Sequence, residues 1–362
     1  MKVLLYENGR GGHRRTILRY VEKSLKRRGI DYSACDDGGE EGVGLEKLEA
    51  TADERGCDMV HILTSDGKGR RWLIESLWRK RSQRRIPLVG TYYLYSNCYK
   101  MVGGLLWDYV HYRSRVERLL ISDDFLAVRR VPRWRRRYLS YLPDPWDPDE
   151  FPALTKSEAQ HSIGLRPERI RFLVFGDLSW RKGISLVLEA FSRLKEPTAE
   201  LVLAGVWSKD FGGSPEERAI RDLVGSGRAQ LLDGYVDEKD VSPLFHASDF
   251  VLCAYQAFFA VSSNSLTRAC AAGRPVIAAE HGVVGRLVRE QGLGIVYPTG
   301  DAAGLTAAME RGCEWVKSGR SPYRADRAAQ VAAARTLDVF GDRLATIYRE
   351  VLEATSGKVV AE

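Results

Sequence analysis

The feature that most constrains the fold of this chain is a repeated alternation of short apolar stretches, glycine-containing loops and segments with helical periodicity. Such alternation predicts strands of parallel sheets that are covered by helices on both faces. The predicted strands of the first half are 2–6, 58–66 and 86–93, and a basic amphipathic helix is predicted at 14–28. The predicted strands of the second half are 171–177, 199–207, 229–236, 248–255 and 274–282.

The length of the chain and one proline-rich stretch predict two domains. At 362 residues the chain exceeds what one hydrophobic core usually serves. Residues 141–160 combine prolines with acidic residues, which marks a boundary because proline restricts the residue before it and removes a backbone donor. We therefore predict an α/β protein with two doubly wound, Rossmann-like domains, 1–147 and 148–335. A C-terminal helix at 336–362 is predicted to pack back on the first domain.

The composition excludes several classes of protein. Hydrophobic residues make up 44% and charged residues 28% of the chain, as in an ordinary globular protein. The six cysteines have no close spacing, so we interpret them as buried thiols of a reducing compartment rather than a disulfide framework or zinc cluster. The N-terminal apolar run is too short for a signal peptide, and no segment approaches the ~20 apolar residues that span a bilayer. We expect a cytoplasmic protein that is at most peripheral, on the inner face of a membrane.

Two basic segments, 70–85 and 129–138, mix arginine and lysine with tryptophan and tyrosine. This mixture suits an anionic membrane surface, because the charges meet lipid phosphate and the rings lie at the headgroup level. Nucleic acid would fit the same pattern, although we consider it an unlikely partner. A solvated helix face is the simplest alternative.

The sequence FGDLSWRKGISLVLEAF, residues 175–191, places two cations where a helix is predicted to begin. Backbone amides and the helix dipole already favour an anion at such a point, so Arg181 and Lys182 are misplaced unless something negative lies beside them. The pattern predicts an anion site. As an exposed loop side chain, Lys182 is expected to contribute little to stability.

Three further features are candidates for a site at the carboxyl ends of strands, where doubly wound sheets bind ligands. SSNS at 262–265 offers hydroxyls and amides at a helix start, and its alternative is a merely capped helix. The glycines and histidine of 9–13 follow the first strand, where a plain tight turn is the alternative. His61 ends a strand and can be an acid, a base or a polar orienter, or else a satisfied structural residue.

The order of these motifs resembles the GT-B glycosyltransferases, specifically the large retaining family 4. The resemblance is carried by LVFGDLSWRKGISLVLEAF, LLDGYVDEKDVSPLFHASDFVLCAY, RACAAGRPVIAAEHGVVGRLV and GLGIVYPTGDAAGLTAAM, and by GRGGHRR, DMVHIL and YLPDPWDP in the first half. It implies two domains facing a cleft, with the acceptor on the first and the donor on the second. It also implies a hexosyltransferase that moves a sugar from a nucleotide-diphosphate sugar to an acceptor hydroxyl with retention. We expect neither a metal nor another cofactor, because Lys182 and Arg181 can stabilise the leaving diphosphate as a divalent ion does in other transferases.

The resemblance also implies roles for individual residues. Lys182 would contact the donor diphosphate, the loop at 234–236 would lie against the base, and His61 would end a strand in the cleft. The implied catalytic residues are Lys182, Arg181 and His61. The implied substrate-binding residues are Gly11, Gly12, His13, Gly176, Tyr235, Val236, Tyr255, Ser262, Ser263, Asn264, Ser265 and Arg268.

The chain departs from the family pattern at several positions. Asp177 stands where members usually carry arginine, and Arg181 is a candidate to supply that charge. Ala260 and Arg268 align with the usual pair of glutamates, and Tyr93 with a frequent histidine. The Ser/Asn cluster could then bind the donor through neutral hydrogen bonds, and Arg268 could pair with phosphate or an acidic sugar.

These departures leave two functions open, an active transferase with altered donor recognition and a GT-B-like binding or partner module without transferase activity. The acceptor is equally open between a glycan, a lipid-linked glycan and a small molecule.

Overall fold

The computed structural model describes residues 1–7, 13–36, 43–65, 86–93, 116–124 and 138–359. The chain divides into two compact units, one formed by Met1–Pro145 with Leu337–Glu362 and the other by Trp146–Thr336. The glycine loop with Gly11 and Gly12, the basic segment 70–85 and residues 129–137 of the second basic segment lie outside the described residues.

The first unit contains a six-stranded parallel sheet with the strand order β2-β1-β3-β4-β5-β6. Its strands are β1 (Lys2–Glu7), β2 (Asp31–Asp36), β3 (Met59–Ile62), β4 (Leu88–Tyr92), β5 (Arg118–Ile121) and β6 (Leu139–Tyr141). Its described helices are α1 (His13–Arg27), α2 (Leu45–Glu54) and α11 (Leu337–Val359).

Strand β1 shows how this sheet is buried on both faces. Val3 and Leu5 belong to one hydrophobic cluster, together with residues of α1 and α11. Leu4 and Tyr6 point to the opposite cluster, which contains residues of α2. The alternation follows from the two-residue period of a strand, and burial on both faces explains why the strand is apolar almost throughout.

The second unit contains another six-stranded parallel sheet, with the order β12-β11-β10-β7-β8-β9. Its strands are β7 (Ile170–Phe175), β8 (Ala199–Gly205), β9 (Ala229–Asp233), β10 (Phe250–Cys253), β11 (Val276–Ala279) and β12 (Gly294–Tyr297). Its α-helices are α3 (Lys156–Ser162), α4 (Ile184–Arg193), α5 (Pro215–Gly225), α6 (Glu238–Ala247), α7 (Asn264–Ala271), α8 (Gly282–Gln291), α9 (Ala302–Ser318) and α10 (Ala325–Ala333).

The predicted α/β architecture with two parallel sheets is confirmed. Each predicted strand is present, usually shortened to its most buried residues. Strands β2, β5, β6 and β12 were not predicted; β2, β6 and β12 lie at sheet edges. In the described part of the chain, no helix combines the length and apolar character needed to cross a membrane.

Candidate functional site

The candidate site lies at the carboxyl edge of the second sheet, where the loops after β9, β8, β7 and β10 follow one another. The loops after β7 and β8 are joined by backbone hydrogen bonds, from Gly176 N to Ala204 O and from Leu178 N to Val206 O, each 2.8 Å long. Since neighbouring strands lie about 4.8 Å apart, these loops form one continuous surface. This edge is where doubly wound sheets bind their ligands.

A short 3-10 turn, Trp180–Lys182, connects this edge to α4. The turn ends at Gly183, whose φ of +70° lies in the left-handed region. A Cβ at this position would lie 2.0 Å from the carbonyl oxygen of Ala254. Glycine is therefore required both by the backbone angle and by the close approach of the chain that follows β10.

The side chain of Lys182 is buried, with 8% of its surface exposed. Its Nζ lies 3.5 Å from the Tyr255 hydroxyl and 5.3 Å from the centre of that ring. The side chain lies over Gly176, where a Cβ would be in ordinary contact with Nζ at 3.5 Å. The expectation of an exposed loop lysine was therefore wrong, because the turn directs the side chain back over the glycine.

Among the described residues, no carboxylate lies within ion-pair distance of Lys182. A buried ammonium without a counter-ion carries a large desolvation cost, which a bound anion would offset. The site is therefore built to receive negative charge.

Tyr255 connects this lysine to the start of α7. Its hydroxyl lies 2.6 Å from Oγ of Ser263, and because Lys182 donates to the phenol oxygen, the phenol proton is available for Ser263. Ser263 is the N-cap residue of α7 but makes no side-chain capping bond. The predicted helix start is thus correct, whereas the serine hydroxyl serves Tyr255 rather than the helix amides.

Two neighbours of Ser263 also face polar atoms of the site. Ser265 Oγ lies 3.4 Å from the carbonyl oxygen of Phe175 at the end of β7. Oδ1 of Asn264 is buried without a hydrogen-bond partner in the described part of the chain. Ser262 is half-buried beside them. The cluster therefore offers polar atoms to which a ligand can hydrogen-bond.

Arg181 is a second cation at this edge, but it is already engaged. Its Nη2 lies 3.5 Å from a carboxylate oxygen of Asp177, and its guanidinium carbon lies 4.7 Å from the ring centre of Phe259. A third of the side chain is exposed. Arg181 thus offsets the charge of Asp177.

The turn at 256–260 is held by His281, which sequence reasoning did not single out. Nε2 of His281 donates to the carbonyl oxygens of Gln256 and Phe259, at 3.0 and 3.1 Å, while Nδ1 accepts from the Thr299 hydroxyl at 2.8 Å. The amide of Gln256 in turn donates to the Arg181 carbonyl at 3.1 Å. A polar residue directly after a buried strand, in AAEHG, is the signal that could have indicated this role.

An exposed apolar patch lies at the ends of β8 and β9. Tyr235 is 62% exposed, and Val206 and Leu232 are exposed at the adjoining ends of β8 and β9, where Ala204 pairs with Leu232 in the strand register. Gly234 N donates to Gly205 O at 3.2 Å, which joins the two loops, and Val236 is half-buried beside them. Exposed apolar side chains in a group commonly mark a contact surface.

Comparison with solved structures decides the fold. Sucrose-phosphate synthase from Thermosynechococcus elongatus superposes with a TM-score of 0.73 at 16% identity, over 98% of this chain and 99% of that one. A glycosyltransferase from Rickettsia africae gives a TM-score of 0.73 at 15% identity, over 97% and 98%. HepE from Anabaena, solved with UDP-glucose, gives 0.72 at 16% identity, over 97% and 100%. The protein has the GT-B fold of glycosyltransferases.

Sequence comparison places a known family on the second unit. Residues 169–314 match the family described as glycosyl transferases group 1, and this segment contains all the side chains of the site described above. An uncharacterised glycosyltransferase of Methanocaldococcus jannaschii is 28% identical over 183 residues. That alignment covers 49% of this chain and 45% of the relative, so the chain spans less than half the length of that protein.

Arg268 lies at the inner end of the site, on α7. Its guanidinium carbon is 5.4 Å from the ring centre of Phe175, and its Nη2 is 3.6 Å from a carboxylate oxygen of Glu238 at the start of α6. Arg268 is thus paired with a carboxylate from another helix. His13 begins α1 in the first unit, and its side chain is not among those described.

His61 occupies a buried position in β3 of the first unit. Its Nδ1 lies 2.6 Å from the Tyr348 hydroxyl and its Nε2 lies 2.8 Å from Oγ1 of Thr91. Burial lowers the pKa of the ring to about 3, so the imidazole is neutral near pH 7. Both ring nitrogens have a hydroxyl as hydrogen-bond partner. This is the arrangement of a structural histidine, one of the alternatives that the sequence left open. The geometry gives the catalytic role no support.

Proposed function

We propose that this protein is a glycosyltransferase that moves a sugar from a nucleotide-diphosphate sugar to an acceptor hydroxyl. The observation that carries the proposal is the buried ammonium of Lys182 at the carboxyl edge of a group 1 domain. It has a phenol and an aromatic ring as neighbours, and no carboxylate pairs with it in the described part of the chain.

The donor diphosphate would lie against Lys182 in this proposal. As the bond between sugar and diphosphate breaks, negative charge develops on the leaving phosphate oxygen. A fixed ammonium in a partly dry site stabilises that charge more than it stabilises the intact donor, which is electrostatic catalysis. Ser263, which accepts the phenol proton of Tyr255, keeps its own hydroxyl proton and can donate it to the same group or to a sugar hydroxyl.

The nucleoside would extend from Lys182 towards the apolar patch with Tyr235. That patch follows β8 and β9, and Lys182 follows β7, so the two are one to two strand spacings, about 5–10 Å, apart along the sheet edge. Such an arrangement suits a ligand with an apolar ring at one end and phosphates at the other. HepE, a solved protein of the same fold, was crystallised with UDP-glucose, which supports a nucleotide sugar as the donor.

Finer properties belong to the same proposal. Retention of anomeric configuration and membership of family 4 rest on the resemblance of the motifs. Independence from metal rests on Lys182 and Arg181, since fixed cations can neutralise a leaving diphosphate as a divalent ion does. Association with the inner face of an anionic membrane rests on the two basic segments, and the acceptor is treated below.

The test combines binding with turnover. Melting temperature is measured with UDP, GDP, ADP and dTDP and the corresponding glucose conjugates, and released nucleoside diphosphate is measured with and without a chelator. We expect one nucleotide to raise the melting temperature and its sugar conjugate to be consumed at a rate that the chelator leaves unchanged. Lys182→Ala should abolish both effects, and Lys195→Ala, at an exposed lysine of the same unit, should abolish neither.

Binding without turnover of any donor, with any tested acceptor, would favour the GT-B-like binding module instead. Binding and turnover that survive in Lys182→Ala would refute the phosphate assignment.

A further inference from the structure

Two aromatic rings stand exposed next to Lys182. Trp180 is 55% exposed and Phe258 is 43% exposed, and their ring centres lie 4.6 Å apart with the planes inclined by 29°. Trp180 begins the turn that ends at Lys182, and Phe258 lies in the turn that follows Tyr255. The pair is therefore carried by the same two loops that carry the proposed phosphate site.

Backbone hydrogen bonds fix the two loops that carry this pair of exposed rings. The Gln256 amide donates to the Arg181 carbonyl, the Phe259 amide donates to the Gln256 carbonyl at 2.8 Å, and His281 donates to both turn carbonyls. Gly282 brings the start of α8 so close that a Cβ there would lie 2.7 Å from Cα of Ala260. Moving the rings into the interior would break several of these contacts, so their exposure is a built feature of the loops.

Charged side chains lie beside the aromatic pair in the sequence. Arg181 directly follows Trp180, and its guanidinium lies 3.5 Å from the carboxylate of the exposed Asp177. A carboxylate accepts hydrogen bonds from hydroxyl groups, and a guanidinium donates to them. The outer ring face of this stacked pair, with charged groups nearby in the chain, matches a sugar ring, which presents C–H groups on its face and hydroxyls at its edge.

We propose that Trp180 and Phe258 form a platform that binds a sugar ring of a carbohydrate acceptor. This inference rests on the proposed function, because an acceptor hydroxyl must reach the sugar whose diphosphate lies at Lys182. A protein partner fits less well, because two rings are far smaller than the ~800 Å² per partner of a stable protein interface.

The experiment titrates the full chain with tetrasaccharides of glucose, galactose, mannose and N-acetylglucosamine, with and without the nucleotide that stabilises it. The variants are Trp180→Ala, Trp180→Phe and Phe258→Ala, and Val316→Ala on α9 is the control at another exposed apolar residue. We expect at least one tetrasaccharide to bind. The two alanine variants at the platform should bind it about tenfold more weakly, and Trp180→Phe and Val316→Ala within about threefold of the unchanged chain.

The proposal is overturned if no tetrasaccharide binds, or if Trp180→Ala binds as well as the unchanged chain does. It is also overturned if Trp180→Ala loses nucleotide affinity, since the ring would then belong to the donor. Failure of the proposed function is a separate result: no nucleotide would bind to any variant, while the titration without nucleotide would still measure the platform.

Discussion

Replacing Lys182 by methionine is expected to stabilise the empty protein and to remove its affinity for nucleotide. Lys182 is 8% exposed and has no carboxylate partner in the described part of the chain. Burial of an ammonium typically costs several kcal/mol, and contacts of the kind made with Tyr255 return about 0.5–2 kcal/mol. A methionine of similar length can lie over Gly176 without the net cost of burying a charge. We therefore expect the substitution to raise the free energy of unfolding by about 1–2 kcal/mol.

That gain corresponds to a rise in melting temperature of about 2–4 °C for each kcal/mol in a domain of this size. Loss of a desolvated charge partner for the diphosphate should weaken nucleotide binding by about 2 kcal/mol or more, which is about 30-fold. Urea unfolding of the empty proteins measures the first effect, and titration calorimetry with the preferred nucleoside diphosphate measures the second. Lys195→Met, at an exposed lysine, should change neither quantity.

A less stable Lys182→Met protein would show that the ammonium is a satisfied structural group. Unchanged nucleotide affinity would place the diphosphate elsewhere. Either result refutes the reasoning that connects burial of this cation to an anionic ligand.

Other positions give further predictions. The pKa of His61 is lowered to about 3, so below pH 6.5 the unfolded chain binds a proton that the folded chain does not, and stability falls by about 1.4 kcal/mol per pH unit from this group as the pH decreases towards 3. His61→Gln should reduce the pH dependence of urea unfolding by that amount between pH 6 and 4, and an unchanged slope would contradict the burial of a neutral ring. Gly183→Ala places a Cβ 2.0 Å from a carbonyl oxygen and should cost about 3 kcal/mol or more, whereas Gly227→Ala, with φ of +67° and nothing within 4 Å, should cost only about 1–2 kcal/mol. Similar losses of stability in the two variants would show that the nearby carbonyl oxygen of Ala254 adds nothing to the cost at Gly183. His281→Ala should speed hydrogen exchange in the turn at 256–260 and weaken nucleotide binding, and His281→Gln should restore both because its amide group has two donors for the two carbonyls. Equal behaviour of the alanine and glutamine variants would show that the ring merely fills space.

The fold could be predicted because its signal is local. A strand buried on both faces must be apolar along its length, and the helices between such strands must show a 3.6-residue period, so the alternation is visible without any contact information. β2, with the sequence DYSACD, escaped prediction because an edge strand has less need of an unbroken apolar sequence. The strand β6 has only three residues, too few to show a period.

The candidate site was predictable in part. Cations before a helix start are visible in the sequence, and they predict an anion site at Lys182. The buried ammonium of this lysine contacts Tyr255, which lies 73 residues further along the chain, so the sequence pattern did not indicate this contact. The position of Ser263 at a helix start was also predictable, but the partner of its hydroxyl was not, because a hydroxyl bonds to whichever polar group the packing places beside it.

The sequence by itself determined the parallel α/β sheets and the presence of a cation at the carboxyl edge, because residue type and spacing are enough to specify both. Only the tertiary structure decided which groups are buried and which are paired. His61 is the clearest case, since its hydroxyl partners lie 30 and 287 residues away, and burial in the folded unit keeps the imidazole neutral. Burial and pairing set the free energy of a charge, and both depend on residues that are distant in the sequence.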